Sequence, residues 1–262
     1  MYEHLLEENV DGGIRVLTLN RPEQLNSWNE LMRAEMRDAV ERAAVDLDLR
    51  ALVITGAGRA FSAGEDVRGM RDLTEIGTRG FRAHVRRVHD IFDTLESIEI
   101  PVIAAIDGVA AGGGFELALS CDFRVVGAGS RFVMPEARVG LIPGSGGCSR
   151  LVRYVGLGRA KELVMLGGSL SAEEAHGIGL ATRLVDEGAA HDAAIDLAAG
   201  LQRQAPLALG MAKLVLNTCT DVDAETGRRL ERLGQSVLKT TDDHREGARA
   251  FVEKRPPAWT AQ

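Results

Sequence analysis

The sequence predicts an α/β fold that winds through repeated strand–strand–helix turns and ends in a helical C-terminal region. Three observations predict it. Apolar, strand-like runs recur, and each closes at or near a glycine. Each is followed by a loop of small residues and then by a helical segment. Strand signals fade after about Arg203, whereas helical patterning runs from Leu207 to Lys254. The chain has 262 residues, 45% of them hydrophobic, which is enough for a sizeable core. The expected organisation is a spiral core over 1–203 and a helical region over 204–262 that packs as an appendage or a subunit contact.

The elements follow in order. "IRVLTLN" alternates and predicts a strand. Trp28, Met32, Met36, Ala39, Val40 and Ala43 step at helical spacing. "ALVIT" is a short buried strand closed by Gly56. Phe81, Val85, Val88, Phe92 and Leu95 step by four and three, the mark of one helix face. Arg79, Arg82, Arg86 and Arg87 occupy its other face and are expected to be solvated. "VIAAID" and "FRVV" are further strands, and "GAGRAFSAGED", "GVAAGGGFEL" and "IPGSGG" are the small-residue loops. Ser171, with Glu174 three residues on, forms a capping-box pattern.

Composition narrows the function. A formal charge of −7 disfavours a broad nucleic-acid or anionic-membrane surface. No apolar run is long enough to span a membrane. The acidic N-terminus, "MYEHLLEENVDGG", has no basic stretch leading into an apolar one, so neither a secretory signal nor a transit peptide is expected. Cys121, Cys148 and Cys219 lie far apart and predict core or half-buried thiols in a reducing cytoplasm. The six histidines give no metal-ligand spacing. "VITGAGRAF" begins like a dinucleotide fingerprint, but Phe61 stands where the third glycine belongs. "PGSGG" resembles a nucleophile elbow, but Pro143 replaces its first glycine, which leaves Ser145 as a turn residue.

What remains is a pair of carboxylates. In "GVAAGGGFELALSCDFRV", Gly112–Gly114 lead into a helix that carries Glu116 in its first turn. Helix-start N–H groups lack intrahelical partners, and glycines leave them uncovered for a ligand oxygen. Such a loop can polarise a carbonyl beside a waiting carboxylate. Glu136 follows twenty residues later in "MPEARVGLIPGSGG". Two carboxyls meeting in a cleft have their pKa values pushed apart, so that one serves as base and the other as acid.

With these pieces in order, the chain resembles the enoyl-CoA hydratase family of the crotonase superfamily over nearly its whole length. The resemblance rests on "TLNRPEQLNSWN", "GRAFSAGEDVRGM", "GVAAGGGFELALSCDFRV", "MPEARVGLIPGSGGCSRL", "SAEEAHGIGLATRLV" and "EGARAFVEKRPPAW". It implies a crotonase-like spiral fold and assembly as a homotrimer or homohexamer. It implies an acyl-CoA thioester substrate, with coenzyme A carried in as part of that substrate and no other cofactor, metal, nucleic acid or membrane partner. By position, the N–H groups of Glu65 and Gly113 would form the oxyanion hole. Glu116 and Glu136 would be the catalytic acids, with Gly144 near the catalytic water. Gln24 and Leu25 fall in the adenine-loop segment and Arg68 near the phosphates, while Phe251 and Lys254 would reach coenzyme A from a neighbouring subunit.

Retention of both glutamates implies hydration of a 2-enoyl-CoA. The alternative is double-bond isomerisation, which in this superfamily can run on the acid at Glu136 alone, or another reaction of the same enolate logic. A non-catalytic acyl-CoA- or RNA-binding role is disfavoured by the two glutamates and by the acidic charge. Glu65, Trp28 and Cys148 depart from the common pattern, at positions where smaller residues or threonine are frequent, and bear on substrate identity.

Overall fold

The computed structural model describes residues 2–66, 68 and 75–262. Two sheets run through the chain. Strands β1 (Leu5–Val10) and β2 (Ile14–Leu19) form an antiparallel hairpin. From β2 onward, β3 (Ala51–Gly56), β5 (Val102–Ile106), β7 (Phe123–Gly127) and β10 (Arg183–Val185) add in parallel. The order in this sheet is β1-β2-β3-β5-β7-β10. A smaller sheet, β4-β6-β8-β9, is built from β4 (Ala60–Ser62), β6 (Val109–Ala111), β8 (Arg131–Val133) and β9 (Ser169–Ser171). Each turn of the spiral therefore gives one strand to each sheet: β3 then β4, β5 then β6, β7 then β8. The segments around β4 and β6, expected as loops, carry these three-residue strands; pairing between successive turns makes strands of them.

The large sheet is covered on both faces, which is why its central strands are apolar along their length rather than alternating. On one face Val16, Val53, Ile103, Ala105 and Val125 meet Ala190, Ala194 and Ala198 of α6 (Ala190–Leu201). Alanine at every fourth position keeps that face of the helix thin. On the other face Leu17, Leu52, Ile54, Ala104 and Ile106 join the main core with α1 (Glu30–Val45), α2 (Thr78–Ser97) and α3 (Gly113–Ser120). The helix expected from Trp28 begins at Glu30. Asn29 caps it by accepting from the Met32 N–H at 2.9 Å, so Trp28 stays outside, bridged to Glu65.

Helix α4 (Gly147–Met165) follows β8, and α5 (Ala172–Gly177) carries the expected capping box between Ser171 and Glu174. The helical region after Arg203 is α7 (Pro206–Cys219), α8 (Ala224–Leu238) and α9 (Asp242–Glu253). Asp223 and Thr241 cap the last two. Among the described residues, no helix is long and apolar enough to cross a membrane.

Candidate active site

A cavity of about 910 Å³ opens between α2 and the loops that follow β4, β6 and β8. Trp28, Phe81, Val85, Val88, Phe92, Val139, Leu141 and Ile142 give it an apolar wall. Glu65, Gly113, Glu116, Glu136 and Gly144, five of the residues singled out in the sequence, line it together. Val67, Gly69 and Met70, the end of the expected first oxyanion segment, lie outside the described residues.

Glu116 sits in the first turn of α3 and is 3% exposed. Its Oε1 accepts from the backbone N–H of Ser145 at 2.7 Å and of Gly147 at 2.8 Å. Burial pushes its pKa up, while these two N–H donors pull it back. Backbone N–H donors favour the ionised form of a carboxylate, and the two on Glu116 offset part of the effect of its burial.

Glu136 begins a short 3-10 turn, Glu136–Val139. Its Oε2 is buried with no hydrogen-bond partner among the described residues. Desolvation raises its pKa to about 7, and the Glu116 charge adds to the rise. Gly112 shows why this loop is bare. With φ 51° and ψ −123°, a side chain would be strained there, and a Cβ would stand 2.9 Å from Glu136 Oε1.

The two N–H groups expected to receive the thioester oxygen lie side by side. A Cβ placed on Gly113 would be 3.8 Å from the Glu65 nitrogen. Gly113 opens α3, so its N–H has no intrahelical partner. Neighbours on either side hold the Glu65 segment: the Trp28 N–H donates to Gly64 at 2.7 Å and the Asp66 N–H donates to Trp28 at 3.0 Å. The Glu65 side chain pairs with Arg33 at 2.7 Å, and Arg33 in turn pairs with Glu30 at 2.9 Å. Trp28 also donates through Nε1 to Ser62 Oγ at 3.0 Å and meets Phe92 edge-on, which locks the cavity's inner wall.

The other expected residues are not brought to this cavity. Gln24 ends the 3-10 turn Pro22–Gln24, and Leu25 follows it with φ 52°. Arg68 is tied to Asp66 at 2.7 Å, and Asp66 also holds Arg21. Phe251, 86% exposed, and Lys254, with φ 55°, stand at the end of α9. Conversely, Arg82 and Arg86, expected on a solvated face, rim the cavity. Ser145 is a turn residue, as expected, but its N–H is one of the two donors that hold Glu116. Sequence reasoning missed those donors because a backbone N–H leaves no mark in residue identity. The only signal was the glycine spacing around Ser145.

The fold and this pairing of a glycine-loop carboxylate with a second, half-buried one define a crotonase-type protein. The description "Enoyl-CoA hydratase/isomerase" belongs to the family model that matches residues 9–262. The chain is 38% identical over the full length of both proteins to 1,2-epoxyphenylacetyl-CoA isomerase of Escherichia coli. It is 36% identical to the short-chain-enoyl-CoA hydratase of Clostridium acetobutylicum, over 94% of this chain and 93% of that one. The crystal structure of an enoyl-CoA hydratase from Bacillus anthracis superposes with a TM-score of 0.93 at 32% identity, over 99% and 100% of the two chains. The chain belongs to the enoyl-CoA hydratase/isomerase family, within the crotonase superfamily.

Proposed function

We propose that the protein is an enoyl-CoA hydratase, a hydro-lyase that adds water across the 2,3 double bond of a 2-enoyl-CoA to give a 3-hydroxyacyl-CoA. The observation that carries this reading is the asymmetry of the glutamates. Glu116 Oε1 accepts from two N–H donors that offset its burial, whereas Glu136 Oε2 has no partner among the described residues and desolvation raises that carboxyl to about 7. Ionised Glu116 takes a proton from water as the oxygen bonds to C3. The π electrons move toward the thioester oxygen, where the N–H groups of Glu65 and Gly113 receive the developing charge. Protonated Glu136 then delivers its proton to C2. Coenzyme A enters as part of the substrate, and the residues named here supply the rest of the chemistry.

A second reading is double-bond isomerisation, which the family description "Enoyl-CoA hydratase/isomerase" admits. It needs Glu136 and leaves Glu116 without a role. One experiment separates the two. A panel of enoyl-CoAs is incubated in heavy water and followed by mass spectrometry. Hydration with one deuterium at C2 is expected. Double-bond migration without added water would overturn the hydratase assignment.

For the coenzyme A residues, the exposed positions of Phe251 and Lys254 support contact from a neighbouring copy in a homotrimer or homohexamer. Lys254→Ala should then raise KM for acyl-CoA and leave the KM of a pantetheine thioester unchanged.

A further inference from the structure

Arg150, in the first turn of α4, is 4% exposed and takes no part in the chemistry set out above. Its guanidinium is nevertheless placed against the turn that holds Glu116. Nη1 donates to the Ser145 carbonyl at 3.1 Å. The same guanidinium lies across the bare face of Gly146, where a Cβ would stand 2.0 Å from Nη1. Gly146 has φ 94°, a conformation that a side chain would disfavour. The Arg150 backbone N–H donates to the Gly146 carbonyl at 2.9 Å. The guanidinium therefore holds the Ser145 carbonyl, at the centre of the turn, and the backbone N–H of the same residue holds the Gly146 carbonyl, whose peptide carries the Gly147 N–H. The N–H groups of the flanking residues, Ser145 and Gly147, are the two that meet Glu116 Oε1.

The far side of the guanidinium is held as well. Nε and Nη2 donate to Glu96 Oε2 at 3.0 and 2.8 Å, and Nη2 donates to Asp93 Oδ1 at 2.5 Å. Asp93 and Glu96 belong to α2, whose apolar face forms the cavity wall. A planar fork with five donors makes these four bonds to two carboxylates and a carbonyl at once, whereas a lysine offers three donors from a single nitrogen.

We propose that Arg150 is a positioning residue for Glu116: its guanidinium holds the Ser145 carbonyl, which lies between the two N–H groups that meet the carboxylate, and ties that turn to α2. The inference rests on the two-glutamate reading for its catalytic consequence. Its structural content, the state of Glu116, stands apart from any reaction. Besides the two N–H groups, the charged or titratable groups that act on Glu116 are Arg150 itself, His89 of α2 and, across the cavity, Glu136.

The test uses Arg150→Lys and Arg150→Gln in the full-length protein. The titration of Glu116 is read by infrared difference spectroscopy against Glu116→Gln, with no substrate present. Loss of aimed donors should move the Glu116 carboxyl upward by about one pKa unit, a tenfold change in its ionisation. With hydration established, kcat should fall about 10- to 100-fold with KM held within about threefold. The acid limb of the pH profile should follow the infrared shift, and Arg150→Lys should recover only part of the loss. An unchanged Glu116 titration in folded Arg150→Gln overturns the proposal whatever reaction the protein catalyses. A protein that hydrates no enoyl-CoA but does show the shift overturns the hydratase assignment instead. If Arg150→Gln does not fold, Glu96→Gln takes its place: it loosens the fork from α2 and should move Glu116 in the same direction by less. No movement there is equally fatal.

Discussion

The two glutamate environments differ in what surrounds the same chemical group. Glu116 opens a helix, deep in the protein, and one of its oxygens accepts two N–H groups. Glu136 opens a 3-10 turn at the edge of the core, less buried, yet its Oε2 has no partner among the described residues. Depth alone would make Glu116 the harder group to ionise. Hydrogen bonding reverses the order, because an unpaired buried oxygen bears the full cost of desolvation when charged. Under the proposed hydration, this difference is what would make a base and an acid of two identical side chains.

The most direct way to break that comparison is to replace each glutamate. Glu116→Gln and Glu136→Gln keep size and remove proton transfer, so hydration of crotonyl-CoA should fall roughly 100- to 10,000-fold in either variant. Near-wild-type turnover of either would dissolve the pair. Migration abolished only by Glu136→Gln would turn the assignment toward isomerase. In the wild type, kcat/KM should fall as pH rises through about 7, where Glu136 loses its proton.

A smaller change sharpens the contrast by touching one side. Gly112→Ala would set a Cβ against Glu136 Oε1 and force a side chain onto a strained backbone. Displacing the acid should cost up to about 100-fold in kcat, and the strain about 1–3 kcal/mol of stability. The acid limb of the rate profile, set by Glu116, should stay in place. If both limbs move together, the two carboxyls do not sit in separable environments.

Stability gives a third reading. The Glu136 carboxyl is raised from 4.5 to about 7 in the folded chain. Its contribution is full below pH 4.5 and is lost as pH climbs through about 7. Above that pH the wild type carries a desolvated charge that Glu136→Gln lacks. The melting temperature of the variant should therefore gain on the wild type between pH 5 and pH 8, by a few degrees at about 2–4 °C per kcal/mol. A difference that does not change with pH would mean that Glu136 is not desolvated.

Much of this was legible in the sequence. The buried strands Ala51–Gly56 and Val102–Ile106 announce themselves as apolar runs because both faces are covered. The glycine loop before Glu116 and the twenty-residue step to Glu136 mark the two acids. What stayed hidden depends on chain returns. The three-residue strands of the small sheet exist only by pairing with the next turn. Arg33 meets Glu65 across thirty-two residues, and Arg150 meets Asp93 and Glu96 across more than fifty. Arg82 and Arg86 look like any solvated helix face until the loops after β6 and β8 close opposite them.

Glu65 carries the smallest expected effect and the finest test of the oxyanion side. The Glu65 carboxylate, a departure from the common pattern, is turned to the cavity. It lines the cavity but is paired with Arg33, which is itself held by Glu30. Burial pushes its pKa up and Arg33 pulls against that rise. A paired carboxylate places little net charge beside an acyl tail. Glu65→Ala should therefore keep hydration, because the N–H proposed to receive the thioester oxygen belongs to the main chain, and the bonds through Trp28 hold that segment without the side chain. Loss of one partly exposed ion pair should cost no more than about 1 kcal/mol. The ratio of kcat/KM for a long-chain and a four-carbon enoyl-CoA should change by less than about fivefold, the scale of such a pair. A larger swing toward long chains would mean that the carboxylate stands unpaired in the pocket when substrate binds. Loss of hydration with every substrate would put the Glu65 side chain in the chemistry itself and would leave the contrast between Glu116 and Glu136 an incomplete account of the site.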